Sequence, residues 1–499
     1  LSDEELGQLL TNLGGHDMEC VVEAFESVKD SRPTCFMAYT IKGYGLPLAG
    51  HKDNHAGLMS PAQMAQLKQS LEIPDGQEWD AFVGTESEVE KLRQFVEGSA
   101  FAQLKQRRLT APVVEIPDQL PSPRAERSAT QHAFGRILDG IARAAGPLAE
   151  RIVTTSPDVT VSTGLGGWVN RRGVFKAEPQ EDMFTLENVG SFQQWRASPK
   201  GQHLELGIAE NNLFVLLAAL GLSHSLFGAR LLPIGTLYDP FIERGLDALN
   251  YACYQGARFM LVATPSGLTL APEGGAHQSI ATPLIGLAQD GLAAFEPAYA
   301  DELAVIMRWG LDYLQRETTD TREGDLLGDD NGGSVYLRLS TRKIAQLKRS
   351  MTESMACSVL QGGYWLSEPK AGADLAIVYS GAISPEAIEA HKRLMGSHPG
   401  CGLLAVTSGD RLFSAWRAAR RSKDRLSPIE ELLKPLSPTA KLVTVIDAHP
   451  ATLSWIGGVH GHRVRPLGVE RFGQSGSIGE LYRLYGIDAD AIVAAASND

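Results

Sequence analysis

From about Ser128 onward the chain repeats one unit, a short apolar, β-prone run followed by a helix, and this alternation restricts the fold more than any other feature. Residues 129–145 have the spacing of an amphipathic helix, and 151–155 read as a short strand. An apolar helix over 210–222 precedes a buried strand at 231–234, a helix over 245–255 and strands at 259–263 and 334–339. Strands apolar on both faces belong in a parallel sheet covered by helices on both sides. A last block repeats the pattern, with a strand at 374–379, a helix over 385–395 and strands at 402–406 and 441–446. The expected fold is therefore α/β, built of successive parallel-sheet domains with helices on both faces. Its boundaries fall at 125–345 for the first complete domain and 356–499 for a smaller one, with a polar loop at 318–333.

The preceding region has a different character. An N-cap at Ser2 starts a short helix, 21–28 is helical in spacing, and the β-prone run TCFMAYTI at 34–41 is broken by Gly43-Tyr44-Gly45. Residues 1–72 thus end a domain. Residues 73–124, with Pro74, Pro112, Pro117, Pro121, Pro123 and one charged helix at 87–101, read as an interdomain linker. A net charge of −13 over 499 residues argues against a nucleic-acid footprint. Five scattered cysteines without a CxxC pair favour reduced thiols and a cytoplasmic address. No apolar run reaches the ~18–20 residues of a membrane span, and no signal-peptide pattern is present. The first residue is Leu rather than Met, so the start of the gene product is expected to lie upstream.

Four local features carry chemistry. The first is GYGLPLAGHKDNHAG, a glycine-rich loop after a strand that presents His51 and His55; a loop histidine is equally compatible with solvation. The second is HLELGIAENNLF, which puts Glu210 in the first turn of an apolar helix, where a carboxylate can also serve simply as a capping group favoured by the helix dipole. In the third, Tyr238-Asp-Pro-Phe241 follows a buried strand, and ordinary aromatic packing is the plain alternative. The fourth, Glu273-Gly-Gly-Ala-His277-Gln, is another glycine-rich loop with a histidine.

In this order the four resemble the thiamine-diphosphate enzymes of the transketolase superfamily, over essentially the whole chain. The matching segments are Ile41-Lys42-Gly43-Tyr44-Gly45 through His55, Gly207-Ile208-Ala209-Glu210-Asn211, the Tyr238/Phe241 pair and Gly274 to Gln278. Two stretches look most like the homodimeric decarboxylating component of pyruvate dehydrogenase. One is Asp3-Glu4-Glu5 followed by Gly14-Gly15-His16-Asp17 and TIKGYG; the other is Gly468-Val-Glu-Arg-Phe-Gly473-Gln-Ser-Gly-Ser. The resemblance implies the end of a pyrophosphate domain, a pyrimidine domain and a transketolase-like C-terminal domain, so the chain would be the C-terminal two-thirds of such an enzyme.

By the same resemblance Glu210 hydrogen-bonds the aminopyrimidine of thiamine diphosphate, while Tyr238 and Phe241 pack on that ring. His55 and His277 donate and orient protons, Lys42 pairs with phosphate or a substrate carboxylate, and Asp158 serves the cofactor pocket of the partner subunit. The substrate would be a 2-oxo acid, pyruvate first, and the acyl acceptor a lipoyl-bearing acyltransferase, with the enzyme acting as a homodimer. The family's GDG…Asn motif for Mg2+ and diphosphate is absent; Gly324-Asp325 and Gly328-Asp329-Asp330 lack its strand context. No metal ligand is therefore assigned, and the motif is expected in a missing N-terminal segment or on a second chain. Arg127 and Arg342 resemble positions at which transketolases hold a sugar phosphate, so ketol transfer is the alternative activity. The absent motif leaves a non-catalytic fragment or partner subunit as a third.

Overall fold

The computed structural model of the chain describes residues 1–11, 14–30, 32–85, 87–99, 102, 108–122, 125–178, 186–187, 189–317, 326–422 and 425–497. They form two compact units, Leu1–Arg107 and Arg108–Asp499. Pro123 and Gly324-Asp325 lie outside the described residues.

The first unit holds helices Asp3–Thr11, Met18–Glu26, Pro61–Ser70 and Val89–Gly98. Asp17 starts the second by accepting hydrogen bonds from the backbone of Glu19 and Cys20 at 3.0 and 3.1 Å. Ser60 and Gln63 close a capping box on the third, with Pro61 in its first turn. Residues 34–41, expected as a strand, pair with no other strand among the described residues, and Met37 and Tyr39 are exposed. The sequence supplies the β-prone side chains there, but no neighbouring edge in this unit completes a ladder.

The second unit opens with β1 (Arg127–Ser128). One parallel sheet then contains β2 (Ile152–Ser156), β3 (Val174–Phe175), β4 (Ala197–Ser198), β5 (His203–Glu205), β6 (Leu232–Leu237), β7 (Met260–Ala263), β8 (Leu292–Phe295) and β9 (Ser334–Arg338). Its strand order is β4-β3-β5-β2-β6-β7-β9-β8. β10 (Ile344–Ala345) returns to pair antiparallel with β1, which ties the two ends of this domain together. β7 shows why the sheet is covered twice. Met260 and Val262 belong to the core containing Phe134, Ile137 and Leu303, whereas Leu261 and Ala263 belong to the opposite one with Leu213, Phe214 and Leu217. Each fully buried Leu or Phe contributes ~1.5–3 kcal/mol, so these two cores hold the sheet in register.

A five-stranded sheet follows, with β11 (Gly363–Ser367), β12 (Ala373–Ser380), β13 (Gly402–Val406), β14 (Leu436–Ile446) and β15 (Arg463–Leu467) in the order β11-β13-β12-β14-β15. β11 runs antiparallel to β13, so this sheet is mixed rather than wholly parallel. An antiparallel edge strand on an otherwise parallel sheet needs no crossover helix. Leu375, Ile377 and Tyr379 of β12 share a core with Leu303 and Ile306 of helix Ala300–Tyr313, which joins the two domains of this unit. The expected linker also divides. Val114 exchanges hydrogen bonds with the Gln315 amide at 2.7 and 3.1 Å and, with Leu120, is buried in the same core. No helix among the described residues is long and apolar enough to cross a membrane.

Candidate functional site

Parallel strands present ligands at their C-terminal ends, and the second unit gathers polar side chains there. β6 delivers Tyr238, and the 3₁₀ turn Asp239–Gly245 places Phe241 5.9 Å from it, ring centre to ring centre. The His277 ring lies 5.6 Å from Tyr238 and 5.8 Å from Phe241. Glu210 opens helix Glu210–Gly221 and is only 8% exposed. Ala209 is the N-cap and offers no capping side chain, and Glu210 is the acidic residue of the first turn, where the helix dipole favours a carboxylate. Its Oε1 accepts a hydrogen bond from Arg244 Nη1 at 2.6 Å, and the Arg244 guanidinium sits 3.7 Å from the Phe241 ring centre. Glu210, Tyr238, Phe241 and His277 therefore form one cluster, with Arg244 as the bond between the acid and the rings. Arg244 escaped the sequence reading; its position three residues after Phe241 was the available signal.

His277 Nδ1 lies 3.7 Å from the Glu273 carboxylate, beyond hydrogen-bond reach, and is buried without a hydrogen-bond partner among the described residues. The loop that carries it is docked on another. Gln278 Nε2 donates to the Gln474 carbonyl at 3.0 Å, and a Cβ on Gly275 would stand 2.6 Å from the Gly473 carbonyl. Glycine at 275 is thus required by close approach. Two segments that carried the family resemblance, residues 274–278 and 468–477, are in contact.

Beneath the rings lies a buried ionic hub. Asp239 accepts hydrogen bonds from Thr282 at 2.8 Å, from Tyr336 at 2.6 Å, from Arg338 Nε at 2.9 Å and from Ser279. Arg338 also donates to Glu296 at 2.6 Å and to the Asp447 carbonyl at 3.1 Å. The Asp447 carboxylate accepts from the Leu268 amide at 3.0 Å and from Tyr482 at 2.8 Å. Burial pushes Glu296 up to about 7 against the pull of Arg338, and burial also raises Asp447. One guanidinium among three carboxylates fixes Asp239, the neighbour of Tyr238, and Ser279, two residues from His277. Arg338, Glu296 and Asp447 each close an apolar strand at its C-terminal end, a signal visible in sequence but silent about partners.

The other expected residues lie outside this cluster. Asp158 follows β2 in a left-handed conformation, φ 65°, and its amide donates to Glu205 at 2.9 Å. Arg127 donates to the Lys343 carbonyl at 2.9 Å. Arg342 grips Glu386 with two hydrogen bonds of 2.7 and 2.6 Å and lies over the Tyr482 ring. Its fork is filled by a carboxylate of the C-terminal domain. In the first unit Lys42 Nζ is 2.6 Å from His55 Nδ1, and Asn54 donates to the carbonyls of Lys42 and Leu48 at 3.0 and 2.6 Å. Ile41 donates its amide to His16 Nε2 at 2.6 Å, and His16 stacks on Tyr44 at 3.9 Å. The GGHD and TIKGYG stretches thus pack together.

The Glu210 cluster suits a polar heteroaromatic ring, since it offers a carboxylate, ring faces and an imidazole nitrogen without a partner. It does not suit a metal–diphosphate, because no group of three His, Cys, Asp or Glu residues able to hold a metal occurs among the described residues.

Residues 118–322 match the family described as pyruvate dehydrogenase E1 component middle domain. The pyruvate dehydrogenase E1 component of Corynebacterium glutamicum is 29% identical over 63% of this chain and 36% of its own length. That of Pseudomonas aeruginosa is 25% identical over 99% of this chain and 57% of its own. The transketolase of Leishmania mexicana has the same fold, with a TM-score of 0.67 at 18% identity over 96% of this chain and 64% of that one. The chain spans roughly a third to three-fifths of the length of these curated relatives. In sequence it is similar to the pyruvate dehydrogenase E1 components, and in fold to the transketolases.

Proposed function

We propose that this chain belongs to an enzyme of the thiamine-diphosphate-dependent, transketolase-like superfamily that decarboxylates a 2-oxo acid, pyruvate first, with Mg2+, and passes the acyl group to a lipoyl-bearing acyltransferase. The observation that carries the reading is the convergence of Glu210, Arg244, Tyr238, Phe241 and His277 on one solvent-reaching cluster. Thiamine diphosphate supplies, when bound, the carbon nucleophile and electron sink that loss of CO2 from a 2-oxo acid requires. Glu210 holds the polar edge of the aminopyrimidine, aimed by its ion pair with Arg244. Tyr238 and Phe241 offer ring faces against that heterocycle. His277 keeps a ring nitrogen free to hold or move a proton beside the reacting carbonyl. His55, steadied by Lys42, is a second proton donor; Lys42 binds phosphate or carboxylate, and Asp158 contributes to the cofactor pocket. The ligands of Mg2+ come from outside the described residues.

The working form is a homodimer in the cytoplasm. Ile208 at the head of helix Glu210–Gly221, Val215 on it and Tyr254 nearby are 79%, 55% and 85% exposed, an apolar surface that dimerisation would bury. Ketol transfer is the weaker reading, because the arginine fork it needs at Arg342 is already engaged by Glu386. An intact acid–arginine–aromatic cluster also argues against a non-catalytic role. The test compares pyruvate, with an artificial electron acceptor, against xylulose 5-phosphate as donors for the holoenzyme. Efficient use of pyruvate and poor use of the sugar phosphate is expected; the reverse overturns the assignment.

A further inference from the structure

At the opposite end of the eight-stranded sheet, where β3, β4 and β5 begin, five cations line one open groove of ≈ 640 Å³: Arg143, Arg171, Arg172, Arg196 and Lys200. In a chain of net charge −13 this concentration is anomalous. Part of it has a local cause. Arg143 closes helix Thr130–Ala144, and Arg171 and Arg172 close helix Gly166–Arg172, where cations favour the helix dipole. Asp139 takes up Arg143 and Arg171 together, at 2.6 Å each. After subtracting that carboxylate and about half a charge for each helix terminus, the groove still carries about three positive charges. Arg196 and Lys200 lie on neither helix, and no carboxylate among the described residues lines the groove.

Arg172 is the telling residue. Its Nε and Nη2 are buried with no hydrogen-bond partner among the described residues, and its guanidinium lies 5.8 Å from the Trp168 ring centre. Buried donors without partners are costly to keep, so a chain that keeps them there has a use for them. The wall is also rigid. Val174 donates to the Arg196 carbonyl at 2.9 Å, Gln202 donates to the Arg172 carbonyl at 3.2 Å, and Gln202 Nε2 is anchored on the Ala149 and Ile152 carbonyls. Gly173, φ 72°, has no room for a side chain: a Cβ would stand 2.7 Å from the Arg196 carbonyl.

We infer that this groove binds a compact, multiply charged phosphate-bearing anion, at a site separate from the Glu210 cluster. Arginine forks match phosphate oxygens in pairs, and the volume falls in the range of small-ligand sites. No aromatic side chain among the described residues lines the groove to stack a nucleobase, so the recognition inferred rests on charge and hydrogen bonding. The inference does not depend on the proposed activity, and its readout is binding rather than turnover.

The test is calorimetric titration of the protein with inorganic tripolyphosphate in metal-free buffer. Affinity should fall at least tenfold in Arg172→Gln and in the exposed pair Arg196→Gln/Lys200→Gln, while Lys392→Gln binds as wild type does. The exposed pair keeps the test valid if Arg172→Gln loses stability. No saturable binding at millimolar probe, or equal affinity in all variants, overturns the proposal. Between β3 and β4 the sequence also holds Glu178, Glu181, Asp182 and Glu187. Binding that appears only after Glu181→Gln/Asp182→Asn would make the groove a seat for the chain's own segment, and would overturn it equally.

Discussion

Replacing Glu296 by Gln should change how stability depends on pH, by an amount the hub allows one to work out. Glu296 is buried against Arg338, with Asp239 and Asp447 as the other charges facing it. Burial pushes it up from an ordinary 4.5 to about 7. A carboxyl raised on folding binds its proton more tightly in the native state, so stability falls as pH rises between those two values. Below about 4.5 the effect vanishes, and above about 7 it is complete. Two and a half units at 1.36 kcal/mol each set an upper bound of roughly 3 kcal/mol, and coupling to the other hub acids reduces it to about 1–3 kcal/mol.

Other groups titrate in the same window. Burial raises Asp410 to about 6, with the same sign, and lowers His224 and His462, with the opposite one. The informative quantity is therefore the difference between variant and wild type. Thermal unfolding of Glu296→Gln and wild type, measured from pH 5 to 8, should give nearly equal midpoints at pH 5. The variant should gain about 2–4 °C by pH 8. Parallel curves across that range, or a variant that loses ground as pH rises, would refute a buried acid held protonated in the hub.

Two further substitutions test how loops and domains are joined. Arg342→Ala should lower stability by about 2 kcal/mol, since it strands the half-buried Glu386, while pyruvate decarboxylation changes less than about threefold. A collapse of sugar-phosphate turnover in that variant, from an efficient wild type, would instead establish ketol transfer. Gly473→Ala sets a methyl group against Gln278 Oε1 and should cost about 1–3 kcal/mol in stability. Turnover should fall further than unfolding predicts because His277 is displaced; an unchanged kcat would show that the docking of these loops is irrelevant to the site.

The sequence announced some of this and concealed the rest for physical reasons. β7 and β13 were legible because strands buried on both faces must be continuously apolar, as residues 260–263 and 402–406 are. β3 and β4, two residues each, carry no periodicity to detect. The Tyr238/Phe241 pair and Glu210 were found as motifs, but the Arg244 that joins them is 34 residues from Glu210, and Arg338 is 99 from Asp239. Partner choice across such separations is set by the fold, not by local pattern. The run at 34–41 shows the converse, since β-propensity describes a side-chain surface and not the presence of a neighbour.

Glu210 is the centre of the account, and Glu210→Gln in the holoenzyme tests it most directly. Gln preserves the size of the side chain and an acceptor for Arg244, so the unfolding midpoint should move by no more than about 3 °C. Steady-state pyruvate decarboxylation should fall at least a hundredfold, about 3 kcal/mol in the barrier, as expected when a carboxylate aimed at the cofactor ring is lost. Activity within about tenfold of wild type, or a large drop in stability that accounts for the loss, would contradict the assignment.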